Sequence, residues 1–277
     1  MAGQAQRDPA GVGGAPAASP HPPAADARRA VLSRLIDHAA LFPPASLPMD
    51  AALEVDRQAR RTPEAWMLHR FLVPASQLAA VPEDFAPPLG VVVDTAALPP
   101  LDGHRVETVE ARLERAGAVA GAGAPVFLEV WPGDGEQLDA VAAAGAGAKV
   151  RCGGATPEMF PSPAQLAAFV CGCRDRGLRF KATAGLHHPV RNGIVHGFLN
   201  LLAAAVLAHE GAAEAELVEV LLVDDAAAFA LSEDAFAVGG RRMEAPAIAA
   251  AREALFTGYG SCSFSEPVED LRGLRML

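Results

Sequence analysis

From residue 30 onward the chain alternates short apolar runs rich in Val, Leu and Phe with longer Ala/Leu/Arg/Glu stretches of helical period. That alternation restricts the fold more than any other feature, because a strand–helix rhythm builds a parallel sheet whose crossovers are helices. Strands are expected at 34–39 (RLIDHA), 69–74 (HRFLVP), 89–94 (LGVVVD), 104–109 (HRVETV), 125–131 (PVFLEVW), 148–153 (AKVRCG) and 178–184 (LRFKATA). Helices are expected at 49–61, 110–121, 135–144, 162–176 and 191–210. An eighth strand is offered by 217–224 (LVEVLLVD) or 256–264 (FTGYGSCSF). The latter is preferred, because Ser265 behind it reads as an N-cap, Pro267 falls in the first turn, and Glu266, Glu269 and Asp270 suit a helix N-terminus.

Eight such units in about 245 residues fit an α/β fold of the closed (β/α)8 TIM-barrel type. The expected organisation is one barrel domain over 28–277, with 211–252 inserted before strand eight as a small subdomain over the barrel mouth. An open doubly wound sheet competes, but the glycine-rich turn such folds place after the first strand is missing from "IDHAALFPPAS". The first 27 residues, almost all Ala, Gly, Pro and small polar types, read as a disordered tail.

The formal net charge of −10, with arginines scattered among 33 acidic residues, provides no basic stripe and argues against a nucleic-acid partner. Cys152, Cys171, Cys173 and Cys262 show no metal-ligand spacing and read as reduced thiols of a cytoplasmic protein. The apolar run at 197–208 is too short for a bilayer, so no membrane partner is expected. The composition leaves a homo-oligomer open.

Within this arginine-rich chain only two of the 23 basic residues are lysines, Lys149 and Lys181. Strand alternation puts Lys149 with Arg151 on one face, and Lys181 with Arg179 and Thr183 on one face, opposite the apolar residues that should meet the outer helices. The polar sets should therefore point into the barrel, where charged groups near strand C-termini form active sites. The intervening helix makes one β-α-β unit, so the two strands should be neighbours. Two ammonium groups about 6 Å apart repel by about 2.8 kcal/mol at an effective dielectric of about 20, equivalent to roughly two pKa units. Desolvation adds in the same direction, and an amine partly neutral at physiological pH is a Schiff-base nucleophile that arginine cannot replace. The plainer reading is two solvated or ion-paired cations at strand ends.

"KVRCGGATPEMF" followed by "FKATAGLHHP" resembles the sixth- and seventh-strand signatures of deoxyribose-phosphate aldolase, a class I aldolase with a (β/α)8 barrel. "LIDHAALFPPAS" is similar to that family's first-strand IDHT-LLKP pattern, and "FLVPAS" at 71–76 to its second-strand segment. The resemblance implies a carbon–carbon lyase with Lys149 as the imine-forming residue and Lys181 as the lysine that tunes it. It implies a proton-relay carboxylate on strand four, for which Glu107 is the candidate, with Asp37 on strand one as the other inward acid. Three departures stand out. Glu129 replaces a family lysine on strand five, Arg151 stands where the aldolases carry a small hydroxyl residue, and the glycine pair that helps hold phosphate is here "AGLHHP". Arg151 is suited to binding a substrate carboxylate in bidentate fashion, or to neutralising Glu129.

"GYGSCSFSEP" at 258–267 offers an anion cradle from Gly260, Ser261 and Ser263 ahead of a helix start, and Thr183 and Gly185 join it as substrate-binding candidates. An ordinary capped glycine turn is the competing reading. His187 and His188 follow strand seven; with His38 they define a metal-enzyme alternative, although adjacent histidines on extended chain diverge. The sequence thus predicts a cytoplasmic class I aldolase-type lyase acting on a small anionic carbonyl compound, with no cofactor or metal. A non-catalytic small-anion-binding barrel is the alternative from another class.

Overall fold

The computed structural model describes residues 26–277. Most of the expected N-terminal tail, residues 1–25, lies outside the described residues. Asp26 and Ala27, counted with that tail in the sequence, belong to the fold. The Asp26 carboxylate accepts from the Arg29 amide at 3.0 Å and caps α1 (Ala27–Leu32), whose Ala27, Val31 and Leu32 are fully buried.

Eight parallel strands close a barrel. They are β1 (Ile36–His38), β2 (Leu68–Pro74), β3 (Leu89–Val92), β4 (Val106–Arg112), β5 (Val126–Val130), β6 (Gly147–Arg151), β7 (Phe180–Thr183) and β11 (Phe256–Ser261), with β11 pairing back onto β1. The eighth barrel strand is the 256–264 segment; residues 217–224 instead contribute to a helix. Around the barrel run α2 (Met49–Ala59), α3 (Gly135–Ala143), α4 (Pro163–Asp175), α5 (Phe198–His209) and, after β11, α8 (Ser265–Gly273). Outward residues of the strands form the core against these helices: Val150, Ala182 and Phe180 are fully buried, and Phe180 stacks on Phe256 at 5.0 Å and meets the Phe169 edge of α4 at 5.3 Å. Each such aromatic contributes roughly 1.5–3 kcal/mol by burial.

The helix expected at 110–121 does not form. β4 continues to Arg112 and is followed by 3-10 turns over 113–119, because "AGAVAGAGA" strings flexible glycines through the stretch that would have to propagate a helix. Connections after β2 and β3 likewise lack α-helices, and Leu98 and Leu101 pack over the outer face there instead. The helix expected from 191 starts at Phe198. The preceding segment is fixed by Asn200, whose side chain accepts from the Arg191 amide and donates to the carbonyls of Val220 and Val223.

The inserted segment holds α6 (Glu214–Leu222), a three-stranded antiparallel sheet of β8 (Phe229–Leu231), β9 (Ala235–Val238) and β10 (Arg241–Glu244), and α7 (Ala245–Ala254). It does not cover the barrel mouth. α7 must deliver the chain to the start of β11, so the insertion packs on α1 at the opposite end, where the Ala27 amide donates to the Glu233 carbonyl at 2.7 Å. Arg252 of α7, 2 % exposed, locks that end: its guanidinium donates to the carbonyls of Val31 (2.6 Å), Ser33 (3.1 Å), Phe256 (3.1 Å) and Thr257 (3.3 Å).

Candidate active site

Register decides which side chains meet inside the barrel. Lys149 is aligned with Lys181 across β6 and β7, Glu129 with Lys149 across β5 and β6, Arg151 with Thr183, and Asp37 with Gly260. Alternation turns Lys149, Arg151, Lys181 and Thr183 inward and leaves Val150 and Ala182 in the outer core. Above these residues, at the C-terminal ends of the strands, opens a cavity of about 530 Å³. Its floor and walls include Glu110, Arg112, Arg115, Glu129, Lys149, Arg151, Thr183, Ala184, His187 and Gly260, with Phe42, Pro43, Leu72 and Val92 on the facing side.

The two lysines are interleaved with carboxylates. Lys149 Nζ lies 3.1 Å from Glu110 Oε2 and 3.0 Å from Glu129 Oε2. Lys181 Nζ donates to the other oxygen of Glu110 and to Asp37 Oδ2, the latter at 2.5 Å. Asp37 also accepts from the Arg70 amide at 3.1 Å. Lys149 borders the cavity, whereas Lys181 and Asp37 lie beneath it, Lys181 being 1 % exposed.

This arrangement reverses the expected electrostatics of Lys149. Burial alone would lower its pKa, but Glu110 and Glu129 outweigh burial and raise it above the ordinary lysine value. The predicted lysine–lysine repulsion is cancelled by the acid between them. Burial opposes ionisation of Glu110 and Glu129 as well, and the neighbouring cations, Lys181 and Lys149 for Glu110, Lys149 and Arg151 for Glu129, hold both carboxyls below their usual range. Asp37 is likewise depressed, burial being overcome by Lys181, Arg70 and His69.

Glu107, the strand-four candidate, is not in this group. It lies toward the N-terminal end of the barrel, 2.8 Å from Arg105, 3.1 Å from Arg34 and 3.2 Å from His69 Nε2, and its carboxyl is lowered to about 2, chiefly by the hydrogen bond with His69. Glu110, one turn of the strand pleat further on, is the β4 acid that meets the lysines. Ending strand four at 109 hid it; continuing the alternation from Thr108 would have found it. Arg112 and Arg115 were missed for the same reason, since both follow from a β4 that runs on to the cavity rim.

Arg151 Nε is 3.4 Å from Glu129 Oε1, and Arg115 donates to the Thr95 carbonyl. Thr183 and Gly260 line the cavity, but Ser261 and Ser263 do not. Ser261 Oγ donates to the Ser263 carbonyl at 2.7 Å, and Ser263 Oγ accepts from the Glu266 amide at 3.2 Å. The expected anion cradle is therefore internally hydrogen-bonded; Ser265, expected as the N-cap, is already helical, Phe264 holds the cap position, and Ser263 before it takes the Glu266 amide. Gly185, at φ +70°, sits where a Cβ would come within 3.0 Å of the Cys152 carbonyl, so it serves close packing of the two loops.

The histidines of the metal alternative are dispersed. His187 Nδ1 is 3.1 Å from Glu266 and His188 Nδ1 2.6 Å from Asp270, both on α8, while His38 is buried against Asp56 at 2.9 Å. Among the described residues no group of three or more His, Cys, Asp or Glu side chains is arranged to hold a metal ion. All four cysteines are free, and none of the described helices is long and apolar enough to cross a membrane.

The site and fold together define a closed parallel (β/α)8 barrel with a lysine-bearing cavity at its C-terminal end. No protein-family model matches the chain, and no curated protein matches it. Among solved structures it is similar to dihydropteroate synthase from Vibrio fischeri ES114, at 13% identity over 68% of this chain and 91% of that one, with a TM-score of 0.38. It is also similar to dihydropteroate synthase from Xanthomonas albilineans in complex with 7,8-dihydropteroate, at 13% identity over 88% and 93% of the two chains, with a TM-score of 0.41.

Proposed function

We propose that this barrel is an enzyme of the class I aldolase type, a carbon–carbon lyase that holds a small anionic carbonyl substrate as an imine on Lys149. The observation that carries the reading is a single amine, Lys149, opening onto the cavity with a carboxylate on either side and a second lysine behind one of them. The resemblance to deoxyribose-phosphate aldolase at Asp37, Lys149 and Lys181 supports it, and rests on those motifs only.

In the resting state Lys149 is an ammonium ion. Glu110 or Glu129 takes its proton, the free amine attacks the carbonyl carbon, and the carbinolamine loses water to give the iminium. The iminium accepts the electron pair as the carbon–carbon bond to the hydroxyl-bearing carbon breaks, while the hydroxyl proton passes to Glu110. Reprotonation of the enamine and addition of water release the product and return the amine. Lys181, held by Asp37, keeps Glu110 ionised and oriented for these transfers.

A panel of small aldehydes, ketones and 2-oxo acids with borohydride, read by intact mass and peptide mapping, tests this. A reduced adduct confined to Lys149 is expected, absent in Lys149→Arg. Because the resting amine is protonated, the trapping rate should climb roughly tenfold per pH unit through the neutral and mildly alkaline range. The second reading, an anion-binding barrel without catalysis, is favoured by the raised pKa of Lys149, which suits a permanent cation. It predicts no adduct and unimpaired ligand binding in Lys149→Arg.

A further inference from the structure

We propose that the substrate carries a carboxylate directly beside the carbonyl carbon: a 4-hydroxy-2-oxo acid, cleaved to a 2-oxo acid and an aldehyde with an apolar substituent. This inference rests on the imine reading and names its substrate class. Lys149 and Arg151 are two residues apart on β6 and are held to opposite oxygens of the Glu129 carboxylate, at 3.0 Å through Lys149 Nζ and 3.4 Å through Arg151 Nε. Among the described residues the two Nη groups of Arg151 make no hydrogen bond, although the residue lines the cavity. A carbonyl carbon attacked by Lys149 that bears its carboxylate as the next atom therefore presents that carboxylate to a planar donor fork already anchored by its Nε.

Charge in the cavity lining agrees. Four cations, Arg112, Arg115, Lys149 and Arg151, face three carboxylates, Asp94, Glu110 and Glu129, an excess of one that a monocarboxylate balances. The helix start that usually seats a phosphate is not open to one. The first turn of α8, where such a group would dock in a barrel of this kind, has its Glu266 amide taken by Ser263 Oγ, and Glu266 itself adds a negative charge there. Across the cavity Phe42, Pro43, Leu72 and Val92 form an apolar wall, which matches an aldehyde half without charge.

The bonds balance without any oxidant or reductant. The C3–C4 bond breaks, the C4 hydroxyl proton goes to Glu110, the electron pair enters the Lys149 enamine, C3 takes up a proton, and one water hydrolyses the imine.

The test compares borohydride trapping of pyruvate, acetaldehyde and dihydroxyacetone phosphate by the full chain and by Arg151→Met. A Lys149 adduct with pyruvate is expected, with the half-saturating pyruvate concentration raised about 10- to 100-fold in Arg151→Met and that of acetaldehyde moved far less, by no more than the lost Arg151–Glu129 pair brings. Should Arg151→Met fail to fold, Arg151→Lys supplies the same comparison, with a smaller rise confined to pyruvate, because an ammonium keeps the charge but not the two-pronged donor fork. Adducts with the aldehyde or the phosphate ester but none with pyruvate would overturn the substrate class and leave the imine intact. An equal rise for pyruvate and acetaldehyde would also overturn it, since the arginine would then not read the carboxylate. No adduct with any of the three would remove the imine reading and this inference with it.

Discussion

Replacing Glu110 by Gln removes the one charge shared by both lysines. At 3.1 Å and an effective dielectric of about 20, its attraction for the Lys149 ammonium is about 5 kcal/mol. The net loss is smaller, because Lys149 keeps Glu129 at 3.0 Å, Lys181 keeps Asp37, and the glutamine oxygen still accepts one hydrogen bond. Stranding part of a buried charge network typically costs 3–5 kcal/mol, and the surviving partners put this variant near the low end, about 3 kcal/mol. Denaturant unfolding with an unchanged m-value measures it. The same substitution lowers the Lys149 pKa, so trapping of a carbonyl compound at neutral pH should become faster in a less stable protein. Removing Lys181 as well, as Glu110→Gln/Lys181→Met, should cost further stability, because buried Asp37 then loses the ammonium it meets at 2.5 Å. A Glu110→Gln protein within about 1 kcal/mol of the parent, with an unaltered pH dependence of trapping, would refute the view that Glu110 sets the charge state of this site.

Three further outcomes follow from the same geometry. Burial, aided by Arg70 and Arg34 and opposed by the Glu107 hydrogen bond, lowers His69 to about 4; a depressed folded pKa adds stability that is present above the unfolded value near 6.5 and lost on acidification through pH 4. Roughly 3 kcal/mol should therefore disappear in that window, and a His69→Gln protein should lack the slope there in urea titrations at stepped pH. Arg252→Met strips several buried carbonyls of their donor and should cost about 3–5 kcal/mol, a fall in melting temperature of about 10 °C by calorimetry, without altering Lys149 trapping in the fraction that remains folded. Burial pushes the Cys152 thiol up to about 12 and that of Cys173 higher still, so in native protein a thiol reagent should label Cys262, the one cysteine that is not buried, well before either.

What was legible in the sequence is what strand periodicity carries. The parity of β6 and β7 alone turned Lys149, Arg151, Lys181 and Thr183 inward, and the βα rhythm alone closed the barrel with 256–264 as its last strand. The errors begin where periodicity needs a strand end. "HRVETVEAR" carries acids of both parities, Glu107 and Glu110, and only the length of β4 decides which of them reaches the cavity. That length is set by the neighbours, since β4 stays paired with β5 through Arg112 opposite Glu129, and no local propensity encodes such a pairing. The sign of the Lys149 shift was out of reach for a related reason. Two like charges placed side by side by register repel only if nothing stands between them, and the intervening acid comes from a strand about 40 residues away in sequence from one lysine and about 70 from the other, brought in only by barrel closure. Pairwise reasoning on adjacent strands therefore gives the positions of charged groups inside a barrel, but their protonation is a property of the closed ring. The behaviour of Lys149 has to be tested through Glu110 as much as through the lysine itself.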